Sequence, residues 1–266
     1  MKKRIIGAAI LLSLFIPLVI IGEIYFALFI LVLGLIGFFE LYSLKYKGKR
    51  LPLLLEILSV LSISYLILNN FSGNTFEIIL DYKVLSLFLI VYLIPIVIIR
   101  DIKKYNLEDA LYLLGATIFI GLSFNLLILL RNFSLEYLLY LFIVTTMTDS
   151  FAFFTGKLVG RNKLCPKISP NKTIEGVIGG TIMGTFIATV FYLTVINPDI
   201  NIIYLVGITF VLSVVCQVGD LVFSAIKRYF NIKDYSKLIP GHGGILDRFD
   251  SIIFVVIVAI LFIGII

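Results

Sequence analysis

Nine runs of near-continuous Leu, Ile, Val and Phe make up most of this chain, near residues 5–21, 24–44, 53–68, 84–99, 111–130, 137–156, 174–196, 202–226 and 251–266. A helix needs roughly 20 apolar residues to cross the ~30 Å hydrocarbon core of a bilayer. A mean hydropathy of +1.13 excludes an ordinary soluble domain. The expected fold is all-α: a polytopic integral membrane helical bundle of about nine transmembrane helices. The run after Met1-Lys2-Lys3-Arg4 imitates a signal peptide. It has no small-residue cleavage site and leads straight into the second run, so it is expected to be retained.

The basic residues set the orientation. With the N-terminus cytoplasmic, alternate connections gather all of the 22 Lys and Arg residues except Lys83 and Arg131 on one face. A miscounted span would scramble that asymmetry, which is the positive-inside pattern. The C-terminus is then outside. The formal charge of +6 concerns anionic lipid at the inner face of the cell membrane, not nucleic acid. Cys165 and Cys216 form no CxxC pair and lie toward the reducing side, so neither a disulfide nor a zinc site is expected.

Residues 1–136 read as N-terminal scaffold helices. Glu23, Glu40 and Glu56 fall near span ends, where a carboxylate can reach water. Chemistry concentrates in residues 137–266, the expected catalytic region. Asp149 interrupts an apolar run, at a cost of a few kcal/mol unless paired, metal-bound or facing a wet cavity. Thr145, Asp149, Ala152 and Gly156 share one helical face. The loop 157–173 carries five basic residues, and Ser169-Pro170 reads as an N-cap followed by proline at the first helical position. Lys172 then falls in the first turn of the seventh span, where a cation makes sense if an anion occupies the helix start. Topology signalling is the plain alternative for this loop.

Gly176, Gly180, Gly184 and Ala188 recur every four residues and form a close-packing face. In the eighth span Ser213, Gln217, Asp220, Ser224, Lys227 and Asn231 lie on one side. Asp220 and Lys227 are ~10 Å apart along the axis. That separation suits a polyphosphate, with metal near the carboxylate and anionic oxygens near the ammonium. Then Pro240, Gly241, Gly243 and Gly244 break the helix and let backbone approach a ligand. His242, the chain's one histidine, could meet a phosphate, orient a carboxylate or act as a base. Asp247 and Asp250 open the ninth span one turn apart, where acidic residues also complement the helix dipole.

The 27 residues SAIKRYFNIKDYSKLIPGHGGILDRFD (224–250) resemble the signature of the phosphatidate cytidylyltransferases, the CDP-diacylglycerol synthases. The match runs through Ser224, Lys227-Arg228, Lys233-Asp234, Pro240 to Gly244, Asp247-Arg248 and Asp250. Upstream, Gly219-Asp220, Ser169-Pro170-Asn171-Lys172-Thr173 and Glu175-Gly176 also resemble family elements. The family often has Asp-Ala-x-Ala-Tyr where this chain has Asp149-Ser150-Phe151-Ala152-Phe153, which lacks the tyrosine hydroxyl.

The resemblance implies a membrane nucleotidyltransferase of phospholipid biosynthesis. It would take CTP and phosphatidate to CDP-diacylglycerol and pyrophosphate, as a homodimer. The expected catalytic set is Asp149, Asp220, Lys227, Asp247 and Asp250. Asp220 and Asp247 are the expected Mg²⁺ ligands, since hard oxygen donors suit that ion, and a second metal ion is the further option. Substrate contacts are expected from Ser169, Lys172, Thr173, Ser224, Arg228, Lys233, Asp234, His242, Gly243, Gly244 and Arg248, with Arg248 pairing an aspartate as its alternative. Metal ions and basic groups would neutralise two polyanions and the leaving pyrophosphate, in a site on the cytoplasmic face. A related enzyme using another lipid phosphate, and a transporter with a polar stripe, are the competing readings.

Overall fold

The computed structural model describes residues 13, 15–48, 51–69, 82–99, 101–239, 241 and 243–262. The elements are α1 (Glu23–Lys45), α2 (Leu53–Leu68), α3 (Tyr82–Ile98), α4 (Leu107–Phe133), α5 (Leu135–Val159), β1 (Lys163–Cys165), β2 (Ser169–Thr173), α6 (Ile174–Phe191), α7 (Ile202–Tyr229) and α8 (Leu246–Ala259). A π-helical turn, Tyr192–Ile196, extends α6. Residues 13 and 15–21 are helical as well, and residues 5–12 and 14 of the first apolar run lie outside the described residues.

Among the described residues, five helices are long and apolar enough to cross a membrane: α1, α4, α5, α6 with its π turn, and α7. The apolar α2 and α3 are shorter. The fold is that of a multi-pass, mostly helical membrane protein, with one departure from all-α. β1 and β2 form a small antiparallel hairpin. The basic stretch after α5 pairs its backbone there, Lys163 opposite Thr173 and Cys165 opposite Ser169.

The chain divides into two compact units, Met1–Phe133 with Tyr235–Ile245, and Ser134–Asp234 with Leu246–Ile266. In the first, α1, α2 and α3 all pack on α4. Gly34 accepts the Ile67 and Phe124 side chains, and Gly121 accepts Leu66. Several buried polar groups there find hydrogen-bond partners, which offsets their loss of water. The Tyr92 and Thr117 hydroxyls lie 2.7 Å apart, Tyr105 donates to the Tyr92 carbonyl at 2.8 Å, and Tyr112 to the Leu41 carbonyl at 2.7 Å. Lys45 meets the buried Asp109 at 3.4 Å.

The second unit is built on the small-residue face of α6. A Cβ on Gly176 would fall 2.7 Å from the Ala152 carbonyl oxygen, and one on Gly180 would fall 2.6 Å from that of Thr148. Gly184 lies directly against the Thr148 side chain. Thr148, Ala152 and Gly156 of α5 thus mesh with Gly184, Gly180 and Gly176 of α6, two four-residue series running in opposite directions. Such small-xxx-small faces let helix backbones touch and gain dispersion contacts that lipid cannot supply. Gly219 does the same for α7 and α8, where a Cβ would meet Phe254 at 2.9 Å.

Candidate active site

The helix caps decide how the polar residues are presented. Ser134 caps α5, accepting from the backbone N–H of Glu136 at 3.1 Å and Tyr137 at 3.3 Å. Asn201 caps α7 through Ile203 N–H at 2.9 Å. α6 begins later than the Ser169-Pro170 pattern implied. Its cap is Thr173, whose hydroxyl accepts from Gly176 N–H at 3.1 Å. Ser169 and Pro170 belong to β2, a strand at the edge of its sheet, where a missing N–H is tolerated. Lys172 therefore stands in the strand before the cap, not in the first helical turn. Glu175 closes the base of the hairpin, accepting from Arg161 N–H at 3.1 Å and from the Asn162 side-chain amide at 2.8 Å.

These elements surround one cavity of about 630 Å³ that lies wholly within the second unit. Asp149 from α5, Asp220 from α7, and Asp247, Arg248 and Asp250 from α8 line it, together with Lys157, Ser169, Lys172 and Thr173. Its volume lies in the usual range for small-molecule sites, ~300–1,000 Å³. Phe153 and Val177 add an apolar part to the wall.

The charges are arranged in pairs. Lys172 Nζ sits 2.8 Å from Asp220 Oδ2 and also donates to the Gln217 carbonyl at 3.1 Å. Lys227 Nζ sits 2.8 Å from Asp247 Oδ1, with both side chains buried. Ser224 donates to Asp220 Oδ1 at 3.3 Å, one turn along α7. Asp149, exposed to the cavity, accepts from Ser251 Oγ at 3.2 Å, with the Cys216 thiol at 3.6 Å. Asp149, Asp220 and Asp250 are close enough to repel one another. Asp250 accepts from Ser251 N–H at 2.8 Å. A cavity holding repelling carboxylates is poised to take up positive charge.

Several expected site residues stand elsewhere. Arg228 is exposed and donates to the carbonyls of Ile168 at 3.2 Å and Ile232 at 3.0 Å, tying the hairpin to the chain after α7. Lys233 and Asp234 are exposed and, like Gly243 and Gly244, do not line the cavity. His242 lies outside the described residues. Reading residue types alone passed over Ser251 and Gln217. Gln217 is buried and donates to the Val177 carbonyl at 3.0 Å and to Thr181 Oγ1 at 2.7 Å, locking α7 to α6 beneath the cavity. Its place on the polar stripe of α7 was the available signal.

Among the described residues no three of His, Cys, Asp and Glu stand together as a metal cage. Mg²⁺ rarely requires one. It is commonly held by one or two carboxylates plus substrate phosphates and water. The all-oxygen donors of Asp220 and Asp247 fit that habit, and Asp149 and Asp250 add charge around them.

Fold and cavity define a multi-pass membrane protein with a carboxylate-rich site able to receive phosphate-bearing substrates. The chain matches the cytidylyltransferase family over residues 2–266. It is 38% identical over 259 residues to the phosphatidate cytidylyltransferase of Bacillus subtilis (strain 168), covering 96% of this chain and 94% of that protein. Proteins of the same name from Staphylococcus haemolyticus (strain JCSC1435) and Staphylococcus aureus (strain COL) are 36% and 35% identical over 256 residues, 96% of this chain and 96% of each relative. The chain belongs to the phosphatidate cytidylyltransferase family and is a nucleotidyltransferase.

Proposed function

We propose that this enzyme transfers CMP from CTP to phosphatidate, giving CDP-diacylglycerol and pyrophosphate by direct in-line attack. The observation that carries the reading is the meeting of carboxylates from three helices with Lys172 and Arg248 around one cavity. A lipid phosphate oxygen forms a bond to the α-phosphorus of CTP. The bond from that phosphorus to its bridging oxygen breaks, and pyrophosphate leaves with the electron pair. The attacking oxygen is already anionic, so no protein nucleophile is needed. Positioning and electrostatics supply the catalysis, as in other phosphoryl-type transfers.

Lys172 and Arg248, both on the cavity wall, hold phosphate oxygens, and Lys157 extends the basic rim. Ser224 acts through Asp220, fixing its carboxylate. Asp220 and Asp247 would hold Mg²⁺, with Asp149 and Asp250 as further ligands or supporting carboxylates. The ion would supply neutralisation of the polyphosphate charge. Lys172 and Lys227 keep Asp220 and Asp247 compensated in the protein alone.

Nine spans with the N-terminus cytoplasmic put the hairpin and the end of α7 on the inner face of the cell membrane. The support is the basic-residue asymmetry. CTP then enters from water and phosphatidate from the inner leaflet, past the exposed Phe153. The exposed ridge Ile178, Ile182 and Phe186 of α6 faces lipid, or a second copy in a homodimer.

Purified protein in detergent, given CTP, phosphatidate and Mg²⁺, should release CDP-diacylglycerol and pyrophosphate in equal amounts. Chelation by EDTA and the Asp220→Asn substitution should each stop both. No product from folded protein with phosphatidate, but product with another lipid phosphate, would reassign the acceptor. No product with any lipid phosphate would overturn the reading.

A further inference from the structure

Glu40 belongs to α1, close to its C-terminal end, yet it is only 5% exposed. Its Oε1 accepts a hydrogen bond from Ser236 Oγ at 2.7 Å and another from the Ile245 N–H at 2.9 Å. Both donors lie in the Tyr235–Ile245 segment, which shares a compact unit with α1. A Cβ on Gly244 would fall 2.5 Å from Glu40 Cδ and 2.6 Å from Oε2, so a side chain there would push the Glu40 carboxylate from its place. The segment folds tightly beside it. Gly241 and Gly243 both have φ of 81°, and Ile239 N–H donates to the Gly243 carbonyl at 2.9 Å.

A buried carboxylate keeps its charge at tolerable cost only when hydrogen-bond donors surround it. Here Ser236 and Ile245 supply two donors to a carboxylate of the protein itself. The Ile245 N–H is committed to Glu40 and Gly244 lies close against its carboxylate, where a glycine-rich stretch by itself suggests a phosphate cradle. We infer that Glu40 is a positioning residue of the enzyme: its carboxylate seats the 236–245 segment and so fixes the point at which the chain enters α8, two residues before Asp247. This deepens the cytidylyltransferase reading and rests on it for its kinetic consequence.

Full-length protein carrying Glu40→Ala, Glu40→Gln, Gly244→Ala or the Glu40→Ala/Gly244→Ala pair tests this by kinetics and by trypsin cleavage after the exposed Lys237. Glu40→Ala should lower kcat about 100-fold, the scale of a ~1 Å misplacement, with KM for CTP changed less than about threefold. Glu40→Gln keeps an oxygen for both donors and should recover at least about tenfold of that loss. Gly244→Ala should resemble Glu40→Ala, and the pair should lose no more than the worse single variant, because both substitutions break one contact. Trypsin should cut Glu40→Ala at Lys237 about tenfold faster than the parent, since an unseated segment opens locally. Normal kcat and normal cleavage in Glu40→Ala and Gly244→Ala would overturn the inference, as would a loss confined to KM for CTP, which would make the segment a direct nucleotide contact. If the parent protein makes no CDP-diacylglycerol, the functional reading fails instead, and cleavage at Lys237 still decides whether Glu40 seats the segment. Should Glu40→Ala fail to fold, Glu40→Gln and Gly244→Ala carry the same comparison.

Discussion

Lys227 and Asp247 form the pair whose disruption says most about how this site is held together. The ammonium and carboxylate are 2.8 Å apart, with side-chain exposures of 11% and 4%. Removing one partner of a buried ion pair typically costs about 3–5 kcal/mol, because the other charge loses its compensation without regaining water. Lys227→Met keeps the length and apolar stem of the side chain and deletes only the charge. For a protein of this size each kcal/mol moves the thermal midpoint by about 2–4 °C, so a fall on the order of 10 °C is expected. Asp247→Asn should cost less, since Lys227 lies in the last turn of α7 and its flexible stem can carry the ammonium toward water. Lys227→Met/Asp247→Asn should recover most of the stability, because a neutral buried pair carries little desolvation penalty. Activity should not recover, since the carboxylate at 247 is gone. The buried Cys216 thiol provides the assay. In a Cys165→Ser background, a fluorogenic maleimide reports unfolding as that thiol is uncovered. A Lys227→Met midpoint within about 2 °C of the parent would refute the argument, as would a double variant no more stable than Lys227→Met.

Further outcomes follow from other contacts. Gly180→Leu forces a side chain into the Thr148 and Ala152 backbone and should destabilise the second unit by several kcal/mol, read as a lowered midpoint in the same maleimide assay. EDTA should abolish CMP transfer yet shift the midpoint by no more than about 3 °C, because Lys172 and Lys227 already compensate Asp220 and Asp247. In folded protein a water-soluble maleimide should label the half-buried Cys165 and leave Cys216 untouched. A cysteine placed at Asn197 should be labelled from outside intact cells and one at Lys167 only after permeabilisation. The reverse pattern would invert the proposed orientation.

Helix type and helix extent were written in the chain. Apolar runs of fixed length bound α1 through α7 closely, since a helix is a local structure and its apolar length is a local property. The four-residue series Gly176, Gly180, Gly184 announced a close-packed face for the same reason. The hairpin was not legible, because proline after serine fits a helix start or an edge strand equally well, and pairing with residues 163–165 decides between them. The aspartates and lysines of the site could be named from their type and spacing. Who faces whom could not, since Lys172 and Asp220 lie 48 positions apart and their meeting depends on how α6 and α7 pack. Glu40 shows the limit most plainly. One carboxylate in an apolar helix looks like a group reaching for water, and only the tertiary structure, by bringing Ser236, Gly244 and Ile245 against it from some 200 positions away, turns it into a buried anchor. Local sequence fixes what each segment can become, while long-range packing decides which buried charges find partners.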